Sequence, residues 1–200
     1  MILAIETSTP EGSVAVVRDG GIVFNEHFQA GRSHSSQLFA VLERAGSQAC
    51  GVRQIVVGLG PGSYAGVRIA ISAAIGLSVA TGAELLGMPS VVALGEGEYL
   101  ALGDARRESF YYARVREGRC LEGPRLVDGV ELDAALQAEG GRELPRYASE
   151  ALPAVPGVEI RHPAASALAL FAERGVGITA RGALEPIYLR EPYITQPRQR

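Results

Sequence analysis

The sequence predicts an α/β fold of two lobes, each a mixed sheet flanked by helices, and three observations carry that expectation. An apolar run at residues 2–6 reads as a buried strand and leads into two more strands joined by Asp19-Gly20-Gly21. Ile55-Val56-Val57 reads as a second buried strand that passes through a glycine-rich turn, residues 58–66, into a helix. A strand pair at 99–103 and 109–116, with short helices after it, supplies a second set of elements beyond a break near residues 88–98.

Each element has a local reason. Residues 2–6, Ile-Leu-Ala-Ile-Glu, stay apolar until the closing acid, as in a strand covered on both faces. Ser13–Arg18 and Ile22–Phe28 follow as strands, and the Asp-Gly-Gly step between them is a hairpin signal. A helix over Ser35–Ala45 comes next, capped by Ser33 or Ser35. Leu38, Val41, Leu42 and Ala45 share one face at helical spacing, and Phe39 lies off it. The helix after the turn spans 67–81. Its Val67, Ile69, Ile71, Ile75, Leu77 and Val79 are spread around the circumference, with Ala70, Ala73, Ala74, Gly76 and Ala80 between them. Only Arg68, Ser72 and Ser78 interrupt. A helix apolar on all sides is covered on all sides. One face can pack on its own sheet, and a chain this small has few elements left for the other, so a second chain is inferred to cover it, the alternative being a helix buried wholly within the chain.

Further along, Ser90 is expected to cap a short helix at 91–95. Residues 132–138 and 165–173 read as helices, and 145–148 as a strand. Residues 187–190 read as a short packed segment and 193–200 as a frayed end. The expected division is an N-terminal lobe, 1–95, carrying the partner helices, and a smaller C-terminal lobe, 96–200, whose tail packs back.

Composition excludes whole classes of function. The 200 residues with 47% hydrophobic content can bury one good core or two small ones. A net charge of −3 offers no basic footprint for gripping nucleic acid alone. All 19 basic residues are arginine, which removes Schiff-base, P-loop and kinase-strand lysines. Cys50 and Cys120 form no CxxC pair and read as small half-buried hydrophobes. The N-terminus lacks a basic signal-peptide region, and the longest uncharged stretch, Ile69–Ala83, is shorter than the ~20 residues of a membrane span. A cytoplasmic protein with no membrane partner is expected.

Two places have the pattern of phosphate-binding loops. The turn at 58–66 follows a strand and opens a helix, the right setting for an anion, but it matches neither the P-loop nor the GxGxxG spacing. Its glycines are equally suited to letting the helix lie close to the sheet. Glu6-Thr7-Ser8, an acid at the end of strand one followed by a Thr/Ser turn, is the arrangement of the first phosphate site in actin-like ATPases, where the acid holds a hydrated metal ion. Asp104 stands where a second phosphate loop would begin, but Arg106 and Arg107 follow it in place of glycines. His27, His34 and His162 fall at no metal-binding spacing, and no GxSxG elbow is present. No catalytic residue and no metal site is assigned.

Taken together, these stretches resemble the bacterial TsaB (YeaZ) family. The carriers are Ile2-Leu-Ala-Ile-Glu-Thr-Ser-Thr with Ser13-Val-Ala, then His34-Ser35, and the signature Gly58-Leu-Gly-Pro-Gly-Ser-Tyr-Ala-Gly-Val-Arg-Ile. Asp104-Ala-Arg-Arg and Pro186-Ile-Tyr-Leu-Arg190 complete the order. Glu6 stands where Asp is more usual, and Tyr64-Ala65 where Phe-Thr is.

The resemblance implies an actin-like fold and a non-catalytic subunit in making threonylcarbamoyladenosine on tRNAs that read codons beginning with A. The implied partners are the paralogue TsaD and the ATPase TsaE, with a homodimer when alone and tRNA met only through the complex. No cofactor is implied, and nucleotide binding is weak at most. The implied interface lies on the N-terminal helices, at Phe39 and Leu42 and at Val67, Ile71, Ala74, Ile75 and Ser78. Ile71→Asp and Ile75→Asp should then both break pairing and leave the lone chain folded. Glu6, Thr7, Ser8 and Asp104 become vestigial phosphate-loop positions, and Gly60, Gly62, Ser63, Gly66 and Arg68 form the signature loop. An actin-like ATPase and a glycoprotease-type metallopeptidase acting alone remain the alternatives.

Overall fold

In a computed structural model of the chain, which describes residues 1–29, 34–138 and 143–190, the apolar strand at the N-terminus is the centre of the first sheet. That strand, β1 (Ile2–Glu6), pairs antiparallel with β2 (Glu11–Arg18), and β2 pairs antiparallel with β3 (Gly21–Gln29). Asp19 and Gly20 turn between β2 and β3 with φ of 51° and 76°, the left-handed pair that a tight hairpin requires. Helix α1 (His34–Gly46) leads to β4 (Gln54–Gly58), parallel to β1, and α2 (Tyr64–Thr81) leads to β5 (Glu84–Met88), parallel to β4. The Ser33 cap, the side chain of His34 and residues 193–200 lie outside the described residues.

The second half builds another sheet and then returns to the first. Antiparallel β6 (Glu98–Asp104), β7 (Ser109–Arg116) and β8 (Arg119–Asp128) come first, then α3 (Gly129–Gln137), β9 (Arg146–Ala148) and β10 (Val158–Ile160). The order in this sheet is β10-β9-β6-β7-β8. Helix α4 (Ala165–Glu173) follows, and β11 (Ala180–Arg181) joins the first sheet, whose order is β11-β5-β4-β1-β2-β3. The run β3-β2-β1-β4-β5, antiparallel and then parallel, is the core of an actin-like lobe, as the sequence led us to expect.

Strand alternation sorts the cores. Leu3 and Ile5 of β1 enter one core with Leu38 and Val41 of α1 and Val67, Ala70 and Ala74 of α2. Ile2 and Ala4 enter the other, with Leu168 and Ala169 of α4 and with Tyr99, Ala101 and Val115 of the second sheet. Leu100 and Leu102, on the far face of β6, pack with Leu132 and Leu136 of α3. The layers therefore run α1 and α2, first sheet, α4, second sheet, α3. Because α4 fills the space between the sheets, the first sheet is covered on both faces, which explains the near-continuous burial of β1 and β2.

Several boundaries differ from expectation. Helix α2 starts at Tyr64 rather than Val67, because the Ser63 hydroxyl accepts the Gly66 N–H at 3.1 Å and caps it earlier. Ser90 caps nothing. Residues Ser90–Ala93 form a 3₁₀ turn with no side-chain cap, and the Ser90 hydroxyl instead accepts the Gly60 N–H at 2.9 Å. Helix α3 begins three residues earlier, at a capping box in which Asp128 accepts the Glu131 N–H at 2.8 Å and Glu131 accepts the Asp128 N–H at 3.2 Å. Among the described residues α2 alone is long and apolar enough to cross a membrane by length and composition, although its uncharged stretch is short. It packs one face into the core of the first sheet.

Candidate functional site

The carboxyl ends of β1, β4 and β5 meet where the glycine-rich turn leaves β4, and the closing acid of β1 lies at that junction. Glu6 is fully buried. Its Oε1 accepts the Ser8 N–H at 2.6 Å, and its Oε2 makes no well-formed hydrogen bond. Burial pushes the carboxyl above its ordinary value near 4.5, opposed by the hydroxyl and N–H of Ser8 and the hydroxyl of Ser90. The carboxyl lies against the backbone of β4, so close that a Cβ on Gly58 would sit 1.7 Å from Oε2.

The turn itself presses α2 onto the end of β1. Leu59 N–H donates to Met88 O at 2.8 Å, and Ser63 N–H donates to Ser8 O at 2.6 Å, with Gly60 and Gly62 carrying the chain between. The Thr7 hydroxyl donates to Gly66 O at 2.8 Å, and a Cβ on Gly66 would lie 2.0 Å from Thr7 O. The first turn of α2 thus reaches the Thr7-Ser8 backbone only because residue 66 has no side chain.

Opposite this junction is the loop between β6 and β7. Asp104 N–H donates to Glu150 Oε1 at 2.9 Å, Arg106 N–H donates to Asp104 Oδ1 at 2.6 Å, and Ala105 N–H donates to Ser109 O at 2.9 Å. Arg106, Arg107 and Glu108 all take left-handed conformations, with φ of 64°, 54° and 56°. Between the two loops is a cavity of about 490 Å³ lined by Ser8, Ser63, Asp104, Glu150, Tyr111 and Leu126, among others. Ser8 and Asp104 border it. Glu6 and Thr7 do not, which separates the four positions grouped as phosphate-loop residues.

A metal-bound nucleotide does not fit this arrangement. The acid that would face the metal ion is turned inward against Gly58, and the N–H groups of Ser8, Ser63, Asp104 and Arg106 are already bonded within the chain. Glu150 and Asp104 place two carboxyl groups at the loop that would receive the anion. Among the described residues no group of His, Cys, Asp or Glu is arranged to hold a metal. His27 and His162 both approach Glu11, at 3.2 and 3.9 Å, and His162 Nδ1 lies 3.3 Å from the Thr9 hydroxyl.

The expected interface residues divide by face. Val67, Ile71 and Ala74 are 2%, 7% and 0% exposed and pack toward the sheet, so they cannot present area to a partner. Ile71→Asp would accordingly damage the fold rather than report on pairing. Leu42 is half-buried against the same core, and the Ser78 hydroxyl donates to Ala83 O at 2.7 Å. Phe39 and Ile75 are exposed at 54% and 46%. The exposed face of α2 continues through Ser72, Gly76 and Val79, and reaches Tyr64 and Arg68 at its N-terminal end. Val79 and Tyr64 were missed. A helix apolar all round gives no phase by which to find its outer face.

Residues 11–169 match the model of the family described as TsaD, tRNA N6-adenosine threonylcarbamoyltransferase, which sets the wider class. The chain belongs, within it, to the TsaB (YeaZ) family. It is 31% identical over 147 residues to the Escherichia coli tRNA threonylcarbamoyladenosine biosynthesis protein TsaB, covering 69% of this chain and 63% of that protein. An uncharacterized protein of Mycobacterium tuberculosis is 32% identical over 203 residues, covering 96% of this chain and 92% of the relative. Two solved structures share the fold. One is an uncharacterized Pseudomonas aeruginosa protein with similarity to peptidase YeaZ (TM-score 0.77, 23% identity, 94% of this chain and 99% of that one). The other is YeaZ from Pseudomonas aeruginosa (TM-score 0.70, 22% identity, 87% and 91%).

Two measurements probe the junction. Gly58→Ala should destabilise the chain by about 3 kcal/mol in urea unfolding, but by less than about 1 kcal/mol in a Glu6→Ala/Ser90→Ala background, which removes both side chains that the added methyl would meet. Additive effects would place the clash elsewhere. Because folding raises the Glu6 pKa, the native state holds its proton to higher pH than the unfolded chain does. Glu6 therefore favours folding below about pH 4.5 and loses that contribution as pH rises. Glu6→Gln should gain stability relative to the parent between pH 4 and 8, whereas a pH-independent difference would contradict the raised pKa.

Proposed function

We propose that the chain is a non-catalytic activating subunit that pairs with TsaD, joined by TsaE, in transfer of the threonylcarbamoyl group to adenosine of tRNAs reading codons beginning with A. It works in the cytoplasm, pairs with itself when TsaD is absent, and meets tRNA only through the complex. The observation that carries this reading is the exposed apolar face of the N-terminal helices, Ile75 and Val79 on α2 with Phe39 on α1, on a chain of the TsaB family. Large apolar side chains exposed together on adjoining helices are best stabilised by a partner. Small residues between them, Ser72, Gly76 and Ala80, would let a partner helix approach closely. The engagement of both loops' amides within the chain supports a subunit that leaves nucleotide chemistry to its partners.

The reading is tested by co-purification with TsaD of the same organism and by tRNA modification with and without this chain. Ile75→Asp should weaken pairing by about 2–4 kcal/mol, roughly 30- to 1,000-fold in Kd, because the interface would bury an unpaired carboxylate. Its thermal stability alone should change little, since Ile75 is half-exposed. Unimpaired complex formation by Ile75→Asp would remove α2 from the interface. The purified chain should turn over no ATP above background, and hydrolysis abolished by Asp104→Ala would overturn the non-catalytic assignment.

A further inference from the structure

The cavity between the two loops is bordered by the chain's own segment Pro186–Arg190, which is anchored on both of its walls. Ile187 N–H donates to Leu59 O at 2.8 Å, adding a backbone bond just past the end of β4. The Tyr188 ring lies 5.3 Å from the Tyr64 ring, and its hydroxyl accepts Arg68 Nε–H at 2.8 Å, while the Arg68 guanidinium stacks 3.9 Å above Tyr64. These contacts hold the signature turn and the start of α2. The segment then reaches the other wall, where the Arg190 Nη2 group donates to Arg106 O at 3.0 Å, inside the loop whose three residues take left-handed conformations. Leu59, Tyr64, Asp104, Arg106 and all five residues of the segment border the cavity.

We propose that Pro186–Arg190 is a strap, an internal ligand of the cleft that ties the signature turn of the first lobe to the β6–β7 loop of the second. Three features argue for it. The anchors are specific groups on both walls. The segment is tethered through Leu184, which is buried in the core beneath α2, so its effective concentration at the cleft is of order millimolar and any other occupant must outcompete it. And the cleft is lined by Leu59, Val67 and Leu126 beside Asp104 and Glu150, a mixture that suits an extended segment with apolar side chains and a guanidinium. The strap also meets Tyr64 and Arg68 at the end of the exposed α2 face, so strap position and the orientation of that face are coupled. This inference concerns the isolated chain and stands independently of the pairing proposed above.

Hydrogen exchange on the full chain tests it, comparing the parent with the Tyr188→Ala/Arg190→Ala double variant. Both residues are exposed, so their removal takes no side chain out of a core. Amides of Ile187, Ser63, Asp104 and Arg106 should exchange at least about tenfold faster in the variant, while Ile5 and Val56 in the central strands keep their rates. A free peptide of sequence Glu-Pro-Ile-Tyr-Leu-Arg should restore protection at Ser63 and Asp104 in the variant and have no effect on the parent. Faster exchange confined to 186–190 would overturn the proposal, reducing the segment to packing without a clamp. A uniform rise that includes Ile5 and Val56 would overturn it as well, since the segment would then contribute only global stability.

Discussion

The contact between Glu6 and the backbone of β4 governs how the N-terminal lobe is put together. A fully buried carboxyl is costly unless it is neutral or well bonded. Here it is held by the Ser8 N–H on one side and packed against Gly58 on the other. That arrangement fixes the turn after β1, and the turn in turn receives the start of α2 through Ser63 N–H to Ser8 O and the Thr7 hydroxyl to Gly66 O. The depth at which α2 sits therefore follows from two positions without side chains, Gly58 and Gly66, and from the reach of one carboxyl. Once α2 is set at that depth, Val67, Ile71 and Ala74 fill the core and Ile75 and Val79 face outward.

The same contact explains why the acid at the end of β1 does not open toward the cleft. An acid at the end of the first strand is useful to a metal only if it faces the cleft. The extra methylene of glutamate lets this one fold back beneath the turn, into the space left by Gly58. With the first loop closed on its own acid and the second closed on Glu150 and Asp104, the Ser8, Asp104 and Arg106 N–H groups have internal partners instead of facing an anion.

How much of this was legible in the sequence depended on whether the signal was local. β1, the β2–β3 hairpin and the strand-turn-helix at 55–81 could be read because an apolar run, an Asp-Gly pair and a cluster of glycines each act within a few residues. β5 was missed because Gly87 breaks its apolar run, although that glycine is needed where Leu59 crosses it, with a Cβ there 2.6 Å from the Leu59 side chain. β8 was missed because Gly123-Pro124 sits in its middle, at the place where its register with β7 shifts. β11, two residues long, has no sequence signal of its own and exists because β5 offers an edge. The functional positions show the same limit. Glu6 and Asp104 could be found as acids, but the direction of a carboxyl depends on what packs around it. The orientation of α2 depends on the sheet beneath it, and no helical period distinguished Ile71 from Ile75.

The position of α4 draws these observations together. It comes from the second half of the sequence yet packs between the sheets, where its first N–H, that of Ala165, donates to the Ser13 hydroxyl of β2 at 2.9 Å. By covering the inner face of the first sheet it leaves only the outer face for α1 and α2. Among the described residues no further element lies beyond those helices, so Phe39, Ile75 and Val79 on their outer side have no internal cover. A chain that used α4 on the outside instead would bury that surface. Burial of the first sheet by the second half of the chain and exposure of α2 are thus two consequences of one choice of layer order, and the inward-turned Glu6 sets the height at which that exposed helix is presented.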